Sequence, residues 1–159
     1  PVSDNLLYGE FHENSKHTTR MPYMKPVYDV LEKNRGKVIY FDFWARWCPP
    51  CLAEMEPLKQ LRSKFSTDDL IIYSICVSEP KEQWEECLNE YSLKNRGIEC
   101  VHVTDYLGID NYQKIRKQWK IDRMPYYVLI NRKGQIIDFG TAARPSNPQL
   151  VSRIEEAVK

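Results

Sequence analysis

Apolar positions along the chain recur with the periods of a helix and of a strand, and in places they fill both faces at once. Met24, Val27, Tyr28 and Leu31 fall at i, i+3, i+4 and i+7, which predicts a helix ending near Gly36. Residues 38–44 are apolar apart from Asp42, and so short a run without alternation predicts a central strand covered on both sides. Cys51, Met55, Leu58, Leu61 and Phe65 form the next stripe, a helix over 49–66. It opens on Pro49 and Pro50, which a first turn tolerates because their missing N–H groups would be unpaired there. Residues 71–77 predict a second buried strand, and Ser78 stands where it could cap a helix with Trp84, Cys87, Leu88 and Tyr91 on its core face. A short strand follows over 99–103, then a helix marked by Tyr112, Ile115 and Trp119. Residues 126–130 and 135–139 are strands joined by Asn131-Arg132-Lys133-Gly134, a hairpin signal. Asn147 caps a last helix with Pro148 in its first turn and Leu150, Val151, Ile154 and Val158 inside.

The order βαβαβα, closed by a hairpin and a helix, predicts an α/β fold with a largely parallel sheet covered on both faces. No repeat, low-complexity tract or linker divides the chain. Residues 1–22 lack periodicity and are expected to be an irregular segment, leaving 23–159 as one domain.

Composition narrows the classes. With 23 basic and 22 acidic residues the chain offers no electrostatic case for nucleic acid or an anionic membrane as partner. No apolar run approaches the ~20 residues a bilayer-spanning helix needs, and the polar start does not resemble a signal peptide. A chain opening on Pro1 rather than Met leaves the compartment undecided. Five cysteines are too few for a disulfide scaffold of this length, and an odd count leaves at least one unpaired within a monomer.

Two of the five form Cys48-Pro49-Pro50-Cys51, where a buried strand turns into a helix. Unpaired N–H groups give a helix N-terminus partial positive charge, which stabilises a thiolate and lowers its pKa. A two-residue spacing brings the sulfurs round one turn, close enough to bond. Cys48 is expected at the exposed tip and Cys51, on the apolar stripe, beneath it. Cys48 would then attack a partner disulfide and Cys51 would resolve the mixed disulfide. Half a zinc site is the competing reading, but it needs a second close pair of ligands. Cys76 falls mid-strand, Cys87 mid-helix and Cys100 alone, while His12 and His17 lie in the polar N-terminal stretch. No metal or cofactor is expected. Cys76 and Cys87 read as packing residues, and Cys100, near a strand edge, as a more accessible thiol.

Asp42 interrupts an apolar run six residues before Cys48, and a carboxylate there is costly unless partnered or protonated. It is expected to have a raised pKa and to relay a proton to or from Cys51. Glu54, beside the stripe, is a weaker candidate for tuning the same sulfur. Pro125 precedes a strand and needs special geometry, a cis peptide being one option. Trp84 and Trp119 read as core, Trp47 as a substrate contact at an exposed corner, and Arg144-Pro145-Ser146 as a plain loop.

The run Phe41-Asp42-Phe43-Trp44-Ala45-Arg46-Trp47-Cys48-Pro49-Pro50-Cys51 resembles the thioredoxin superfamily nearly residue for residue, and the resemblance extends from about residue 37 to the C-terminus. It implies a three-layer α/β/α sandwich with a mixed central sheet. Asp42 falls on the family's buried aspartate, Trp47 on its active-site tryptophan, and Met124-Pro125 on the cis-proline that faces the dithiol. Substrate contacts are thereby implied for Trp47, Pro49, Pro50, Met124 and Pro125. The extra helix and strand over 79–103, and Glu54 three residues after Cys51, are similar to the TlpA/ResA-like branch of bacterial envelope reductases. That branch implies a monomeric periplasmic or extracytoplasmic domain, often anchored by an N-terminal segment. Such domains exchange with protein disulfides and an upstream thiol donor, in cytochrome c maturation or general disulfide reduction. Oxidase or isomerase activity, a thiol peroxidase, and a non-catalytic metal- or protein-binding module are the alternatives on the same fold. Arg123 and Pro57 depart from the family pattern, and residues 1–22 match none of its elements.

Overall fold

A computed structural model of the chain describes residues 22–78 and 80–159. The segment expected to be irregular, 1–22, lies outside these residues except for Pro22, as do His12 and His17. A single 3-10 turn, Pro22–Met24, leads into α1, Lys25–Lys33. The helix stops three residues before Gly36, because the Asn34 side chain and backbone N–H both turn back onto the Val30 carbonyl.

Next come β1 (Val38–Trp44), α2 (Pro49–Ala53), α3 (Met55–Lys64), β2 (Leu70–Cys76), α4 (Lys81–Glu90) and β3 (Ile98–His102). Then follow α5 (Val103–Tyr106), α6 (Ile109–Gln118), β4 (Tyr126–Ile130), β5 (Ile136–Gly140) and α7 (Pro148–Ala157). The strands form one sheet in the order β3-β2-β1-β4-β5. β1 pairs in parallel with β2, and β2 with β3, while β4 runs antiparallel to both β1 and β5. The sheet is therefore mixed, not largely parallel as alternation alone predicts. The Asn131–Gly134 hairpin turn sets β5 antiparallel to β4, and β4 itself enters the sheet opposite in direction to β1.

Alternation along β1 sorts the two layers. Ile39, Phe41 and Phe43 enter a cluster with Tyr28 and Leu31 of α1 and Tyr112 and Ile115 of α6. Val38 and Tyr40 meet Leu58 and Leu61 of α3 and Leu150 and Ile154 of α7 on the opposite face. At the C-terminal end of β1 that second face continues into Trp44, which packs with Cys48, Cys51, Met55, Cys76 and Cys87. This is the three-layer α/β/α sandwich, with β1 at its centre and the dithiol at the end of the central strand.

Two local expectations change. The helix over 49–66 is broken at Glu54, which closes α2 and opens α3 with φ −91° and ψ 0°. Pro57 is the cause. A continuous helix would ask its nitrogen to donate to Ala53, whereas restarting at Met55 puts Pro57 in a first turn, where no donor is required. The first bond of α3 runs from the Leu58 N–H to the Glu54 carbonyl, 2.9 Å. Ser78 does not cap α4, which starts after Pro80 with no side-chain cap. Trp119 is core, but Trp84 is only half-buried.

Candidate active site

Cys48 and Cys51 are joined in a disulfide with their Cα atoms 5.3 Å apart. The extended backbone of Cys48 ends the β1 loop, and its carbonyl accepts the first α2 hydrogen bonds from Cys51 and Leu52. Cys48 is thus the N-cap, and its Sγ accepts the Cys51 N–H at 3.3 Å. Pro49 and Pro50 have no N–H to offer, so that single donor is the local stabiliser of charge on Cys48. The expected tip position of Cys48 is a correction. The residue is 4% exposed against 2% for Cys51, and Trp47, at 69%, takes the tip instead. The Cys48 side chain packs in the apolar cluster with Trp44 and Met55, while Arg46, Trp47, Pro49 and Pro50 are exposed around it.

Asp42 lies on the face of β1 that carries Tyr40 and Trp44, the same face that α2 and α3 cover. It is 4% exposed, between Ser74 on β2 and Tyr127 on β4 in register. Its pKa is raised from 3.8 to about 8. Loss of solvent is the main cause and the nearby Glu54 carboxylate adds to it, while Ser74 pulls slightly the other way. Glu54 sits at the break between α2 and α3. Its two oxygens accept the Ser146 N–H at 2.9 Å and the Ser146 hydroxyl at 2.7 Å, and Arg144 Nε stands 3.9 Å away. The Arg144–Ser146 segment is therefore more than a connector. It holds the helix break against the start of α7.

The Met124–Pro125 peptide is cis. Pro125 is buried and its carbonyl accepts the Thr141 hydroxyl at 2.8 Å, while Met124 is half-buried against the cluster that holds Cys48 and Cys51. The dithiol and the cis-proline turn, 73 residues apart in number for Cys51 and Met124, meet at one end of the sheet. Trp47, Val77, Tyr112, Arg116, Arg123 and Met124 border a shallow groove of about 280 Å³ beside them.

Ser78, expected only as a helix cap, and His102, which the sequence did not single out, hold the loop before Cys48. The Ser78 hydroxyl accepts the Arg46 N–H at 2.9 Å and stands 3.3 Å from Cys76 Sγ. The Ser78 carbonyl contacts His102 Nε2 at 2.8 Å, and His102 Nδ1 accepts the Thr104 N–H at 3.2 Å. With Nδ1 accepting, Nε2 is the donor, and the imidazole bridges the two segments. His102 is 1% exposed and packs on Trp84, ring centroids 5.6 Å apart. A lone histidine at a strand end carries no sequence signal for this role. Cys76 and Cys87 are buried and take no part in a disulfide. Cys100 is half-buried, with its Sγ 3.8 Å from the Leu93 carbonyl and its thiol pushed up to about 11 by burial and then by Asp42. It is less accessible than its place near a strand edge suggests. Among the described residues no group of three or more His, Cys, Asp or Glu side chains could hold a metal ion.

Comparison with known proteins agrees with this arrangement. A family model described as Redoxin matches residues 25–158. Thiol-disulfide oxidoreductase ResA of Bacillus thuringiensis is 26% identical over 108 residues, which cover 68% of this chain and 57% of that protein. The chain accordingly spans little more than half the length of the curated relatives it matches first. The thioredoxin domain of a Bacteroides vulgatus thiol-disulfide oxidoreductase superposes with a TM-score of 0.67 at 22% identity, covering 81% of this chain and 84% of that one. A second Bacteroides vulgatus protein, assigned to the thiol-disulfide oxidoreductases, gives a TM-score of 0.62 at 32% identity over 79% of this chain and 76% of its own. With one family model running almost from α1 to the C-terminus, the chain belongs to the Redoxin family, as a TlpA/ResA-like member of the thioredoxin superfamily.

Proposed function

We propose that the chain exchanges dithiol for disulfide with protein substrates through Cys48 and Cys51, in the direction of substrate reduction. The observation that carries this reading is the bonded Cys48–Cys51 pair at the head of α2, with the Cys51 N–H aimed at Cys48 Sγ and the cis-proline turn packed beside it.

In the reduced protein the Cys48 thiolate attacks one sulfur of a partner disulfide. The Cys48–partner bond forms, the partner's S–S bond breaks, and its leaving sulfur takes a proton. Cys51 then gives its proton to the Asp42 carboxylate and attacks Cys48 Sγ; the Cys48–partner bond breaks, and the second partner sulfur leaves and takes up a proton from solvent, to which Asp42 in turn releases its own. The partner gains two electrons and two protons, and the pair is left as the disulfide that an upstream thiol donor must reduce again. Asp42 is a proton acceptor here because its pKa lies near neutrality. Glu54 tunes it, and Trp47, Pro49, Pro50, Met124 and Pro125 form the surface the substrate meets. An extracytoplasmic setting and a role in envelope disulfide reduction, including cytochrome c maturation, belong to the same proposal, supported by the likeness to ResA. Among the described residues no helix is long and apolar enough to cross a membrane.

Trapping with single-cysteine variants tests the reading. Cys51→Ala should accumulate a stable mixed disulfide with reducible protein substrates, Cys48→Ala should form none, and each should lose insulin reduction. Equal trapping by both variants would refute the assigned roles. A reduction potential near or below that of thioredoxin, about −270 mV, is expected, whereas one near −120 mV would reverse the direction.

A further inference from the structure

The chain's net charge of +1 conceals two opposed banks on either side of the dithiol. Residues 109–123, comprising α6 and the turn after it, hold five basic and two acidic side chains. Helix α4, Lys81–Glu90, holds one basic and four acidic ones. Both banks reach the loop that presents Cys48. The acidic one meets it where Arg46 Nη1 donates to Gln83 Oε1 at 3.3 Å, and the basic one lines the groove beside Trp47 and Met124.

Three features make that groove a recognition surface rather than a solvated helix face. Trp47 is the most exposed large apolar side chain among the described residues and forms one wall. Arg116 forms another, its guanidinium fixed by an Nε bond to the Ile121 carbonyl at 3.0 Å. Arg123 adds a second cation, so that Arg116 and Arg123 outnumber Asp122, the one acidic side chain in the groove lining, which pairs only loosely with Arg123. Asp122 and Arg123 stand 3.7 Å apart with both side chains about 70% exposed, so water screens the pair.

We propose that this groove seats the chain segment next to the reactive cysteine of the substrate, and that it selects segments carrying an acidic side chain beside an apolar one. The apolar side chain covers Trp47 and Met124, and the carboxylate lies between Arg116 and Arg123. The proposal deepens the exchange reading above and rests on it. The acidic bank on α4 repels the same carboxylate, so the two banks together set the direction in which an extended substrate crosses the dithiol.

The test uses disulfide-bonded peptides of one length whose reactive cysteine is flanked by Leu-Asp, Leu-Ser or Leu-Lys, with stopped-flow oxidation of the reduced protein as the readout. The Asp peptide should react about five-fold faster than the Lys peptide at low ionic strength, as expected for two rim ion pairs, and the ratio should approach one at high salt. The double variant R116E/R123E should invert the order. Lys133→Glu, on the distant β4–β5 turn, should keep the wild-type ratio. A wild-type ratio near one at low salt, or an order unmoved by the double reversal, would overturn the proposal while leaving exchange itself intact. Failure of all three peptides to oxidise the protein would overturn the exchange reading instead.

Discussion

Asp42 shows how far burial moves the ionisation of a single carboxyl group. An isolated aspartate ionises near 3.8, whereas this one ionises near 8. Between those values the unfolded chain releases a proton that the folded chain retains, so stability falls as pH rises from about 4 to about 8 and levels off beyond. Asp42→Asn should flatten that slope and leave the protein a few kcal/mol more stable than wild type at pH 8, as read by urea unfolding. In single-turnover experiments the same variant should slow resolution of a Cys48 mixed disulfide at pH 8 and lose the rise centred there. An unchanged profile would remove Asp42 from the proton path. Glu54 acts on this group through space. Glu54→Gln removes a negative charge that raises the Asp42 pKa, and should move the rise to lower pH.

At the scale of elements, the active-site loop is held from two sides by segments remote in sequence. Glu54, placed at the helix break by Pro57, ties α2 and α3 to Ser146. Ser78 ties the loop before Cys48 to the end of β2, and His102 ties Ser78 to the end of β3. The helix-and-strand insertion thereby has a mechanical role, since β3 ends on the imidazole that fixes the Ser78 backbone. Ser78→Ala deletes the acceptor of the Arg46 N–H and should cost about 1 kcal/mol in denaturant unfolding. It should also lower the second-order rate of exchange, with Ser78→Thr restoring both. Full retention of rate in the alanine variant would show that the loop needs no such tie.

Across the whole molecule the largest aromatic cluster lies on the face of the sheet away from the dithiol. Phe41 and Phe43 pack on Trp119, centroids 6.0 and 6.3 Å away, in a cluster that includes neither cysteine of the dithiol. Trp119→Ala should therefore destabilise by about 3–5 kcal/mol in urea unfolding. The reduction potential of the folded protein should stay at its wild-type value, because the cavity opens on the opposite side of β1. A shift in potential alongside the loss of stability would mean that the layers are coupled.

Local pattern was enough to read most elements, the dithiol at a strand-to-helix junction, and the anomaly of Asp42, because each is a statement about neighbours a few residues apart. A proline pair in a first turn, a run apolar on both faces and a carboxylate inside it are legible without coordinates. The resemblance carried by residues 41–51 and by Met124-Pro125 added the cis peptide and the mixed sheet, which periodicity had left open. What only the tertiary structure decided was distance between segments far apart in the chain. No spacing rule links Ser78 to Arg46, His102 to Ser78, or Ser146 to Glu54: the first two contacts exist because parallel strands bring their ends to one edge, and the third because the helix break packs against the loop before α7. Burial of Cys48 belongs to the same class. Exposure depends on how neighbouring side chains fill the space around a residue, and here Trp44 and Met55 pack over Cys48 while Trp47 faces the solvent.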